Sequence, residues 1–116
     1  MSIMIYFYNQ IPAAEVEKQI DNLIEENPSL YCRQSFTADF SFSKAQPMND
    51  AQRRVIQEYG REASSWFILS VNRKNATGAE LDHAAAKAAS AIGPNRTFML
   101  FEGEAMYDPD TRRSEE

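Results

Sequence analysis

The sequence predicts a mixed α/β fold, or its α+β relative, as a single small sandwich. About four strands and three helices are expected, in βαβαβαβ order. Four apolar, β-branched or aromatic runs, at 3–8, 36–42, 66–71 and 97–101, alternate with three segments of helical period, at 12–26, 50–59 and 79–92. At 116 residues the chain is long enough to bury one core without disulfides or a structural metal. Residues 1–107 are assigned to the globular domain. Residues 108–116, polar and without periodicity, are expected to form a flexible tail.

The first strand is apolar on both faces, with Ile3, Ile5 and Phe7 on one and Met4, Tyr6 and Tyr8 on the other. Such a strand belongs inside a sheet that is covered twice. Pro12 suits the first turn of a helix whose inner face carries Val16, Ile20, Leu23 and Ile24. Asn27-Pro28 ends that helix, because proline disfavours helix at the residue before it. In the second strand Phe36, Ala38, Phe40 and Phe42 alternate with polar residues, the pattern of a half-wet edge strand. Asn49 with Gln52 resembles a capping box and opens the second helix, which Gly60 closes. The third strand, 66–71, is again apolar on both faces and is expected beside the first. Thr77 and Glu80 form the clearer capping box, and the helix they open is rich in alanine, which permits close approach to the sheet. Gly93-Pro94 stops it before the last strand, which has a short continuation near 105–107.

Helix-linked strands favour parallel pairing. The competing arrangement is a ferredoxin-like α+β sheet with helices on one face only. That sheet would expose Tyr6 and Tyr8, or the opposite set, and would need a partner there.

Composition narrows the function. No stretch of ~18 apolar residues is present, so no transmembrane helix is expected. The amino terminus lacks the basic and apolar regions of a secretory signal. The lone cysteine, Cys32, fits a reducing compartment, and the expected location is cytoplasmic. The net charge of −5 is banded: acids exceed bases by four in 1–43 and in 101–116, and bases exceed acids by three in 44–100. Neither a uniformly acidic nucleic-acid mimic nor a basic nucleic-acid binder matches that pattern.

Two sites are singled out. The stretch Asn72, Arg73, Lys74, Thr77 and Gly78 follows a strand and enters a helix, bringing two cations and a hydroxyl to unpaired backbone N–H groups. This arrangement suits an anion, although the glycine spacing of phosphate loops is missing. If strands one and three are neighbours, Asn9 and Gln10 join the same crevice. The ordinary alternative is a solvated loop with a capped helix. The second site is the stripe Glu17, Asp21 and Glu25 on the first helix, where like charges at i, i+4 and i+8 have little compensation. Contact with a basic protein would relieve that repulsion; a solvated helix face also tolerates it.

Other constellations are weaker. Glu102, Glu104, Asp108 and Asp110 read as an acidic tail before they read as a Mg²⁺ site. His83, the only histidine, lies on a polar helix face without the second Glu-x-x-His motif that a di-iron site needs. Cys32 reads as a small buried hydrophobe, and Phe36, Phe40 and Phe42 as core. No catalytic residue, metal ligand or cofactor is assigned.

The sequence therefore points to a non-catalytic protein that acts by protein–protein contact, with a homodimer expected. An inhibitor carried by a phage or mobile element, for example an anti-CRISPR, is one instance. The alternative is a phosphate- or nucleotide-binding module, or a small phosphotransfer enzyme, using the Arg73-Lys74-Thr77 loop.

Overall fold

The computed structural model describes residues 3–33, 38–72, 77–93, 95–102 and 105–106. Its elements run β1 (Met4–Asn9), α1 (Ala13–Glu26), β2 (Tyr31–Cys32), β3 (Phe40–Phe42), β4 (Gln46–Pro47), α2 (Asp50–Gln57), β5 (Ser65–Val71), α3 (Gly78–Ile92), β6 (Thr97–Phe101) and β7 (Ala105–Met106). The three helices fall where the periodicity puts them. The four-stranded βαβαβαβ arrangement does not hold. One sheet runs in the order β2-β3-β5-β1-β6-β7, and β4 also pairs with β5.

Strands β1 and β5 are neighbours, with Ile5 opposite Leu69 and Phe7 opposite Phe67, but they are antiparallel. Strand β6 is antiparallel to the other side of β1, and β3 is antiparallel to β5. Strands β1 and β3 therefore run the same way with β5 between them, and β5 and β6 run the same way with β1 between them. The crossovers through α1 and α3 each skip one strand. This is a pair of interleaved split βαβ units, α+β rather than a wound parallel sheet, but with α2 on the face that the α+β alternative left without a helix. Strand β3 is not an edge, because β2 pairs with its outer side in parallel.

The two faces differ in cover. On one, Ile5, Phe7, Phe40, Phe42, Phe67 and Leu69 pack against Val16, Ile20 and Leu23 of α1 and against Leu81, Ala84, Ala85, Ala88 and Ile92 of α3. The alanines let α3 lie close. Tyr31 is buried in this layer, and its hydroxyl donates to the Ala84 carbonyl at 2.6 Å. On the other face, Tyr8 and Leu100 pack against Met48 and against Ile56 of α2.

Caps set the helix limits. Thr77 Oγ1 accepts from the Glu80 N–H at 3.1 Å, and Glu80 Oε1 accepts from the Thr77 N–H at 3.3 Å, completing the predicted box. At α2 only half of the expected box forms. Asn49 Oδ1 accepts from the Gln52 N–H at 2.8 Å, while Gln52 Oε1 accepts from the Tyr8 hydroxyl at 2.9 Å. Gly60, at φ 68, takes the left-handed turn that follows α2.

Candidate protein-binding surfaces

Of the predicted anion site the structure describes Asn72, Thr77 and Gly78. Asn72 faces the sheet: its Nδ2 donates to the Ala38 carbonyl at 3.0 Å, and its Oδ1 accepts from Ser41 Oγ at 3.1 Å. The Thr77 hydroxyl serves the cap. Glu80 brings its own carboxylate to the start of α3, where the helix dipole favours negative charge. Gly78 begins the helix, and Arg73 and Lys74 lie outside the described residues. Asn9 and Gln10 do not join this crevice. Because β1 and β5 are antiparallel, Asn9 lies opposite Ser65, at the far end of β5 from Asn72.

Two carboxylates of the acidic stripe, Glu17 and Asp21, meet a cation distant in sequence. Arg33, just beyond β2, pairs with Glu17 Oε2 and, at 3.1 Å, with Asp21 Oδ1. Its other terminal nitrogen donates to the Ser43 carbonyl at 3.1 Å, and Glu17 Oε1 accepts from the Ala45 N–H at 2.7 Å. Glu17 thus ties α1 to the segment between β3 and β4. The same side chains line a shallow groove with Phe42 and Lys44. Asp21 and Glu25 remain exposed.

The remaining candidates stay apart. His83 is exposed on α3; Cys32 is buried and its thiol donates to the Phe40 carbonyl at 3.5 Å. Phe40 and Phe42 are core, and Phe36 lies outside the described residues. Glu102 is exposed, whereas Glu104, Asp108 and Asp110, with the whole segment assigned to a tail, lie outside the described residues. Among the described residues no three or more His, Cys, Asp or Glu side chains converge as a metal site. No helix of the described residues is long and apolar enough to cross a membrane.

One surface was not named as a site from sequence. On the face that carries α2, neighbouring rungs across β6, β1 and β5 read Phe98–Tyr8–Trp66 and Leu100–Tyr6–Ile68, followed by Met4 opposite Ser70. Helix α2, at eight residues, is about 12 Å long, whereas six strands side by side extend roughly 24 Å. It shields Tyr8, which is 2% exposed and whose phenol burial pushes up to about 12, with lesser contributions from Tyr6 and Tyr59. Met4, Tyr6, Trp66 and Ile68 stay half-exposed. The signal was present in the sequence: β1 is apolar on both faces, and three helices are too few to cover both.

The chain forms a small α+β domain with one sheet face closed by two long helices and the other closed only in part. The chain belongs to the CDI System Immunity Component family, whose model matches residues 1–105. Among solved structures it is similar to a chain of the CdiA-CT/CdiI toxin and immunity complex from Burkholderia pseudomallei. The TM-score is 0.73 at 19% identity, over 90% of this chain and 95% of that one. At that identity the likeness concerns the fold. No curated protein matches the chain. The family gives no support to an anti-CRISPR or a phage inhibitor. The expected homodimer likewise finds no support in the solved neighbour, whose complex joins a toxin to an immunity protein.

Proposed function

We propose that this chain is the immunity protein of a CDI toxin–immunity system and neutralises its toxin by direct contact. The family match over residues 1–105 carries the reading. The half-covered sheet face and the net charge of −5 support action through a surface rather than through bound chemistry. The lone, buried Cys32 suits a reducing compartment and supports the reading that the encounter is cytoplasmic.

The test is co-expression with the CdiA-CT toxin domain of its own system. Cells making both proteins should grow, cells making the toxin domain alone should arrest, and the purified pair should form a tight one-to-one complex by calorimetry. Continued arrest together with no measurable binding overturns the proposal.

A further inference from the structure

Residues 49–63 lie on the sheet without being part of it. None of these described residues joins a strand. Their turn and cap bonds close on themselves: the Arg53 N–H donates to the Asn49 carbonyl, the Tyr59 and Arg61 N–H groups to Ile56, and the Gly60 N–H to Gln57. The base of the segment, by contrast, is pinned. The Met48 N–H donates to the Ser64 carbonyl at 3.2 Å, and the Ser64 N–H donates to the Asn9 carbonyl at 2.7 Å. Gln46 and Pro47 pair with Trp66 and Ser65 just outside it. A segment whose two ends are fastened to each other can lift between them without breaking a rung of the sheet.

The hold on this segment is slight beside that on the opposite face. Helix α2 buries one residue, Ile56, whereas α1 buries three and α3 seven. Val55, Tyr59 and Ala63 are partly buried against the cluster of Tyr8 and Leu100. The Tyr8 hydroxyl reaches from the sheet to Gln52 Oε1 at 2.9 Å, and the Arg61 guanidinium lies 5.3 Å from the centre of the Phe98 ring. Isolated helices shorter than about 12–15 residues are marginal in water, so the eight-residue α2 keeps its order through these contacts and loses it with them. After α2 the chain turns at Gly60, at φ 68, where the surrounding space is open.

We propose that residues 49–63 form a flap that opens as one unit while the sheet, α1 and α3 stay folded. Segments that bury little apolar surface open at a lower free energy than the core beneath them. Opening uncovers Tyr8 and Leu100, which are 2% and 0% exposed in the closed molecule. They lie beside the half-exposed Tyr6 and Trp66, so one apolar surface then runs across β6, β1 and β5. The inference concerns this chain by itself and does not depend on the immunity reading.

Native-state hydrogen exchange of the whole chain tests this. The amides of 53–57 should share one protection factor, about a hundredfold or more below that of the amides of Ile5, Phe7, Phe67 and Leu69. Leu69→Ala then separates the flap from the fold. Leu69 packs on the face that α1 and α3 cover, and its contacts survive when the flap opens. The variant should therefore speed exchange in β1 and β5 by about thirty-fold or more, through the lost core packing. Exchange at 53–57 should stay within about twofold of wild type, because only the fully unfolded state feels the substitution. Equal acceleration of both sets overturns the proposal, since α2 then opens only with the whole molecule. Protection that rises steadily from one end of α2 to the other also overturns it, because that is fraying rather than a unit. Should Leu69→Ala not fold, exchange of the wild type in low urea decides. A shallow urea dependence at 53–57 beside a steep one in β1 and β5 supports the flap, and equal slopes refute it.

Discussion

Replacing Glu17 by alanine tests whether this carboxylate is a fastener of the fold or a solvated charge. Glu17 Oε1 accepts from the N–H of Ala45, a residue 4% exposed, and Oε2 meets the Arg33 guanidinium. Truncation leaves a nearly buried N–H unpaired, which costs about 1–3 kcal/mol. The ion pair adds less, about 0–1 kcal/mol, because both side chains retain contact with water, with 30% and 23% exposure. Relief of repulsion with Asp21, one turn on, returns a few tenths of a kcal/mol. The net expectation is a loss of about 1.5–3 kcal/mol, read as a lower urea midpoint at unchanged slope. Glu17→Gln keeps an acceptor for Ala45 and should lose less than about 1 kcal/mol. Asp21→Ala, which removes only an exposed partner, should fall within about 0.5 kcal/mol of wild type. If Glu17→Ala unfolds at the wild-type midpoint, the link between α1 and the β3–β4 segment contributes nothing. Glu17 then returns to the set of residues available to a partner.

Three further outcomes are expected. Leu69→Ala, at a fully buried position opposite Ile5, should cost about 2–5 kcal/mol in chemical denaturation, through lost burial and an unfilled cavity. Thr77→Ala should cost about 1 kcal/mol and Thr77→Gly only a few tenths, since alanine cannot cap and glycine tolerates the cap backbone; equal losses would contradict the capping role. Stability should also fall in alkali. Burial raises the Tyr8 phenol from 10.0 to about 12, so its contribution is fully present below pH ~10 and lost as pH rises to ~12. Tyr31 is raised by the same cause and strengthens the trend. Tyrosinate absorbance accounting for all five tyrosines near pH 10, with no loss of structure, would refute it.

Much of this architecture is legible in the residues. The helix faces, the Thr77–Glu80 cap, the burial of Phe40 and Phe42 and the adjacency of Ile5 and Leu69 all follow from period and capping chemistry. Strand direction does not, because antiparallel and parallel neighbours bury the same alternate residues. Strands β2, β4 and β7 have two residues each, too few to show any period. The Arg33–Glu17 pair joins positions 16 apart, and no local pattern announces it. An incompletely covered sheet face is legible in β1, apolar on both sides; which of its residues stay half-exposed is not, because that depends on where the short α2 lies.

The interleaving of the two βαβ units also dictates an order of events during synthesis. Strand β1 emerges first, but both of its partners come late: β5 begins at Ser65 and β6 at Thr97. At about 5–20 residues per second, β6 follows β1 by roughly 5–20 seconds on the ribosome. Until β5 emerges, β1 has no strand to pair with, and its other side stays open until β6 follows. Its closure depends on contacts between distant parts of the chain, which makes folding slow relative to a helical bundle of this size. A chain ending before Ser65 holds neither partner of β1, whereas one ending before Thr97 holds β5 and lacks only the strands on the other side of β1.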